Sequence, residues 1–155
     1  MKKLLSGSPS ASLISFCFWC VRLLCLVEIS HAQNATNATT DPSEVMALNS
    51  IFRKLSVPSE SLKWNTTGDP CSGSAIDLTP IGDKEINPAI KCNCTFNNGK
   101  ICRITELKIT ALNIEGPIPE ELRNLTFLYD LNLAQNYLTG PLPAFIGNFT
   151  NMKYL

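Results

Sequence analysis

The sequence predicts an α/β solenoid: an amino-terminal cap with one helix and a hairpin, followed by coils that each pair a short strand with a return. Three observations carry this. A secretory leader opens the chain, four cysteines gather between residues 71 and 102, and from residue 104 onward the sequence repeats every 24 residues.

Residues 1–32 begin with Lys2 and Lys3, run through the apolar stretch LISFCFWCVRLLCLV and end in SHA, with small residues at the positions a signal peptidase reads. No uninterrupted apolar run reaches the roughly 20 residues that span a bilayer. Cleavage after Ala32 is therefore expected. It removes Cys17, Cys20, Cys25 and the only histidine, His31, and leaves Cys71, Cys92, Cys94 and Cys102. An even cysteine set behind a leader reads as two disulfides made in an oxidising compartment. Thirteen basic residues lose Lys2, Lys3 and Arg22, and thirteen acidic ones lose Glu28, leaving ten against twelve. So slight an acidic balance argues against a nucleic-acid partner. The remaining 123 residues suit one domain.

Residues 33–40, QNATNATT, are polar and repetitive, and read as a flexible leader. Together with Asn65, Asn93, Asn124 and Asn148, Asn34 and Asn37 make six Asn-x-Ser/Thr sequons, a density that suggests a glycosylated surface. Cys94 fills the middle of the Asn93 sequon and disfavours its use.

The cap is expected over residues 41–103. Asp41 can cap a helix, Pro42 suits its first position, and Glu44 stands where a capping box places its acid. Val45, Leu48, Ile51, Phe52 and Leu55 form an apolar stripe at helical spacing, and Arg53 and Lys54 suit the last turn. From Ser59 to Lys91, Pro, Gly and Asp punctuate a long loop with Trp64 as anchor. IKCNCTFNNGKICRIT then reads as a hairpin around Asn98-Gly99. A three-residue loop, Asn97 to Gly99, sets Cys94 opposite Cys102, whereas a two-residue loop sets Thr95 there; direct opposition favours Cys94–Cys102 together with Cys71–Cys92. Cys71–Cys94 with Cys92–Cys102 remains open.

The repeat emerges when residues 104–127 are laid over 128–151. At this offset Ile104 meets Leu128, Leu107 meets Leu131, Ile109 meets Leu133, and Ile114 meets Leu138. Gly116 meets Gly140, Pro119 meets Pro143, and the sequons at Asn124 and Asn148 coincide. Met152 and Leu155, in residues 152–155, begin a third copy in the same register. Leu131 and Leu133 flank Asn132, so a short strand buries the leucines and exposes what alternates with them. On the two strands, Glu106, Lys108 and Thr110 alternate outward from the first, and Asp130, Asn132 and Ala134 from the second. Tyr129 and Tyr154 stand beside that surface.

The period and the pattern L-x-x-L-x-L-x-x-N-x-L resemble a leucine-rich repeat. GPIPEEL and GPLPAFI give it the look of the plant type. The preceding helix, LKWNTTGDPC and the cysteine cluster resemble the disulfide-bonded cap of plant leucine-rich-repeat receptor-like kinases. WNTTGDPCSG followed by IKCNCTFNNGKICRITELKI is most similar to their subfamily VIII, whose ectodomains add a malectin-like domain. In this family Asn136 would satisfy backbone groups of adjacent turns. Leu112 replaces its counterpart in the first coil.

The resemblance implies a concave face that receives a protein or peptide ligand, with a co-receptor as a further partner. It also implies more coils, a membrane span and an intracellular Ser/Thr kinase, none of which lies in these residues. A solenoid needs about three coils and a terminal cap, so a fragment of a longer receptor is expected; the alternative is a small secreted binding or decoy protein. Catalysis is not expected here. No histidine survives cleavage, Gly99-Lys100 lacks the partner glycine of a phosphate loop, and Glu120-Glu121 fall on the convex return. No metal and no cofactor are expected.

Overall fold

The computed structural model describes residues 38–57 and 68–155. The leader, Asn34, Asn37, Asn65 and Trp64 lie outside the described residues.

The first helix, α1, spans Pro42–Lys54. Asp41 caps it by accepting the Ser43 N–H at 2.9 Å, and Arg53 and Lys54 occupy the last turn. Its inward face is Ala47, Leu48, Ile51 and Phe52, continued by Leu55, while Val45 is only half-buried. Glu44 does not form a capping box. The Asp41 N–H it would accept from is given to the Cys102 carbonyl at 3.0 Å, and Glu44 turns inward instead.

Strand β1, Thr39–Thr40, runs parallel to the start of β3, Ile101–Lys108. The end of the expected flexible leader is thus part of the sheet, held by the Thr39 N–H on the Lys100 carbonyl at 3.1 Å. Strand β2, Ala89–Thr95, pairs antiparallel with β3, matching Ile90 to Leu107 and Asn93 to Arg103. The register slips between Lys91 and Cys92, leaving Thr105 as the extra residue of a bulge. The hairpin turn is one residue longer than the spacing suggests. Phe96 bridges Ile101, and Asn97, Asn98 and Gly99 all take positive φ (49°, 55° and 76°), which a tighter loop does not accommodate. The disulfides are Cys71–Cys92 and Cys94–Cys102.

The coils stack on the edge of β3 opposite β2, beyond the part that β1 covers. Strand β5, Asp130–Asn132, lies parallel to it with Glu106 beside Asp130, Leu107 beside Leu131 and Lys108 beside Asn132. Tyr154 bridges Asp130 in the same sense. A second parallel ladder joins β4, Glu115–Gly116, to β6, Tyr137–Leu138. After Pro119 and Pro143 the chain makes 3-10 turns, Glu120–Asn124 and Ala144–Asn148. The first of these packs against α1, and Lys54 pairs with Glu121 at 2.6 Å.

One core runs through cap and coils. Ile104, Leu107, Ile109, Leu122, Leu125 and Leu128 are entirely buried beside Ile51. Glu44 is buried with them for a specific reason. On the edge of β3, β1 covers residues 101 and 102 and β5 covers 106 to 108, which leaves a gap. Glu44 fills it by accepting the Ile104 N–H at 2.7 Å, and the Tyr129 N–H reaches the Thr105 carbonyl at 2.8 Å. Burial raises the Glu44 carboxyl above its ordinary pKa, against the pull of the Ile104 N–H and Arg103. Arg103 reaches Asp41 at 2.9 Å and Glu44 at 3.5 Å, and stacks 5.1 Å from the centre of the Phe127 ring.

Asn136 ties the coils together. Its amide donates to the carbonyls of Ile109 (2.8 Å) and Leu133 (2.9 Å), and its oxygen accepts from Leu112 and Ile114 at 3.1 and 3.3 Å. Ala111 and Gln135, which correspond in the two coils, both adopt left-handed backbone (φ 51° and 59°) so that the chain can wrap this amide. Among the described residues no helix is long and apolar enough to cross a membrane.

Candidate functional site

The sheet formed by β2, β3 and β5 has one face in the core and one outside. Glu106 and Lys108 flank the buried Leu107, and Asp130 and Asn132 flank the buried Leu131, so these four project from the outer face, the one expected to be concave. Directly paired residues share a face. One row across the strands therefore reads Lys91, Glu106, Asp130, Tyr154, and the next reads Ala89, Lys108, Asn132.

Each of the eight sequence-derived binding residues has a definite surrounding. Glu106 accepts a hydrogen bond from the Tyr129 hydroxyl. That bond, with partial burial and the neighbouring carboxylates, pushes Tyr129 up to about 12. Asp130 is raised by burial first and then by the charge of Glu106. Among the described residues neither Glu106 nor Asp130 forms an ion pair. Like charges side by side across a ladder are destabilising, so this row costs the fold something. Lys153 lies 5.6 Å from the centre of the Tyr129 ring. Tyr154 is 63% exposed.

The other residues are more committed to the backbone. The Lys108 ammonium donates to the Lys84 carbonyl at 2.8 Å, and the Asn132 oxygen accepts the Ala134 N–H at 3.0 Å. Thr110 and Ala134 lie beyond the strand ends rather than on them. Thr110 is gripped by Asn87, whose oxygen accepts its N–H at 3.1 Å and whose amide donates to its carbonyl.

Sequence reasoning missed two groups around this face. One is Asn87; an Asn-Pro dipeptide reads only as a turn, and its partner is 23 residues away. The other is a clamp in the cap loop. Lys84 reaches the Asp77 carboxylate at 3.0 Å and the Ser74 carbonyl at 2.6 Å, while Lys91 reaches the same carboxylate at 2.9 Å and also the Asp77 carbonyl. Both lysines are 9% exposed. Their hydrogen bonds hold the Asp77 carboxyl well below the ordinary carboxylate range. No spacing in the sequence announces this trio.

Among the described residues the opposite, return side carries no comparable grouping. Glu121 is paired with Lys54 and Glu120 approaches Arg123 at 3.8 Å, which leaves both acids solvated or ion-paired. Asn124 and Asn148 are exposed at the ends of the two 3-10 turns, and Asn93 is exposed on β2 with its oxygen accepting the Thr95 N–H at 3.0 Å. Among the described residues no group of His, Cys, Asp and Glu is arranged to hold a metal ion.

Known proteins place this arrangement in context. No protein-family model matches the chain. A probable LRR receptor-like serine/threonine-protein kinase of Arabidopsis thaliana is 46% identical over 124 residues, 78% of this chain and 12% of the kinase. A second one is 47% identical over 105 residues, 66% of this chain and 10% of its own length. The chain thus spans about an eighth or less of these relatives. Among solved structures, the LRR ectodomain of the receptor kinase SOBIR1 from Arabidopsis thaliana is similar with a TM-score of 0.46 at 16% identity, over 76% of this chain and 67% of that one.

Proposed function

From its homology to leucine-rich-repeat receptor-like serine/threonine kinases of Arabidopsis, we propose that this chain is an extracellular binding module, the amino-terminal ectodomain piece of such a receptor. Its coils are plant-type repeats of 24 residues behind a disulfide-bonded cap, and its concave face receives a protein or peptide. Signalling, membrane anchoring and kinase chemistry belong to sequence beyond these residues, and a co-receptor would be a further partner.

The carrying observation is the Glu106–Asp130 row. Two adjacent half-buried carboxylates without an internal cation are a poor choice for stability and a good one for recognition. On the return side Glu121 is paired with Lys54, and the sequons at Asn124 and Asn148 read as glycosylated.

A glycan placed on the concave face tests this reading. Lys108→Asn turns residues 108–110 into a sequon, because Thr110 is already present. The chain, expressed through the secretory pathway from its full sequence, would be used to select binders from a displayed library of random dodecapeptides. Peptides selected on the unaltered protein should lose binding to Lys108→Asn once its glycan is verified by mass. They should keep binding to Asn148→Gln, which removes a convex glycan. Selected peptides that bind all three forms alike would overturn the concave assignment.

A further inference from the structure

Leu78 is fully exposed, at 100%, and Ile76 is 37% exposed, yet the tip that carries them is firmly anchored. Between them Asp77 offers its carboxylate and its carbonyl to two lysines that are themselves almost buried. The Asp77 carboxylate also accepts the Thr79 N–H at 2.9 Å, which fixes the backbone on the far side of Leu78. A leucine held out on a pre-set backbone binds with little ordering cost, because the loop need not be frozen on contact.

Its position follows from Lys91. That residue sits directly opposite Glu106 on the concave face, and its ammonium ends on Asp77. The loop therefore lies over the outer side of β2, where Ala89 and Lys91 are buried although both belong to the concave rows. It stands as a wall at the amino-terminal end of the row Lys91, Glu106, Asp130, Tyr154. Neighbouring strands are ~4.8 Å apart, so Asp130 is about 10 Å across the floor from Lys91.

The charge that faces solvent around the tip is acidic. Lys84 and Lys91 are turned inward and satisfied, whereas Asp83 and Glu85 are exposed and Asp77 keeps 41% of its side chain in solvent. The floor adds Glu106 and Asp130, while the one cation of the next row, Lys108, is held against the Lys84 carbonyl at 2.8 Å. An apolar knob beside an acidic floor is complementary to an apolar group next to a cation.

Building on the concave-face reading, we propose that Leu78 and Ile76 form the end wall of the binding site, and that the ligand is a cationic peptide. It sets an apolar side chain against Leu78 and, one or two residues on, a lysine or arginine over Glu106 and Asp130. The clamp is then a positioning device for the ligand, beyond its part in folding.

The test uses the full secreted protein and labelled decapeptides that pair one leucine or phenylalanine with two lysines at graded spacings. Controls carry glutamate in place of lysine, and binding is read by fluorescence anisotropy. The lysine peptides should bind at least about tenfold more tightly than the controls, and the difference should shrink with added salt. Leu78→Ser should weaken the best peptide by roughly fivefold to tenfold without altering that salt dependence. Glu106→Gln combined with Asp130→Asn should erase the preference for lysine.

Equal binding of lysine and glutamate peptides, or no saturable binding of either, overturns the proposed ligand chemistry. Unchanged binding by Leu78→Ser, with loss in the variant combining Glu106→Gln and Asp130→Asn, overturns the wall but leaves the concave face as the site. Sedimentation of the unaltered protein and of Leu78→Ser at matched concentrations covers the remaining occupant. A dimer that dissociates with the substitution would make the tip a self-contact and overturn the peptide proposal.

Discussion

The cap and the coils solve one problem, covering an apolar face, by opposite means. The coils bury Leu107, Leu131, Ile109, Leu122 and Leu125 at repeated positions and join neighbours through Asn136. The cap has few such positions. It relies instead on two disulfides, the lysine clamp on Asp77, and a buried carboxylate, Glu44, that plugs a gap in the edge of β3. Regular burial gives a surface that can be extended coil by coil. Singular links give a surface with a fixed end, and the outer face of the sheet begins at that end.

Substitutions should separate the two modes. Leu131→Ala empties a buried position in the second coil and should cost about 3 kcal/mol, measured by urea unfolding. Replacing Cys71 and Cys92 together by Ser opens a loop whose ends lie 21 residues apart, and should cost about 3 kcal/mol. The loss in that variant should fall on the cap, with hydrogen exchange faster in residues 68–95 and nearly unchanged at 128–146. Uniform acceleration would erase the distinction between the regions.

Asn136→Ala strands the Leu112 and Ile114 N–H groups and two carbonyls, and should cost about 2 kcal/mol. The smallest effect is a gain. Ala111 pays for a left-handed backbone (φ 51°), and Ala111→Gly should stabilise by at most about 1 kcal/mol, seen as a rise in Tm of a few degrees.

Acid should also act unequally. Asp77 is held below its ordinary 3.8 by Lys91 and Lys84, so its pairing is fully present above pH 4 and is lost as pH falls through the lowered value. Glu44 is shifted the other way by burial. Its ionisation opposes folding, and that contribution weakens the fold as pH rises from 4.5 through its raised value. Asp77→Asn should flatten the acid limb of a stability–pH curve, and Glu44→Gln should flatten the rise side, while both keep the fold.

The same contrast explains what the sequence revealed. Coil positions recur, so Leu107 and Leu131 or Gly116 and Gly140 identify each other without any structure. The helix was legible from Asp41, Pro42 and its apolar spacing. Glu44 was not, because whether an acid at that position turns back to its cap or inward depends on which partner takes the Asp41 N–H. That partner, Cys102, comes from a distant strand. The hairpin length escaped for a similar reason, since three consecutive left-handed residues leave no mark beyond the Asn-Asn-Gly that a shorter turn would also use. Of the candidate face, the alternating residues could be named from the pattern alone. Asn87, Asp77, Lys84 and Lys91 could not, because their meeting requires the loop to fold over β2.

The receptor reading is tested most directly by long-read sequencing of the transcript from the Met1 codon past Leu155. The expected result is continuous reading into further 24-residue coils, a membrane-spanning segment and a serine/threonine kinase. A stop codon directly after Leu155 would contradict it, and would make the chain a small secreted binding protein in its own right.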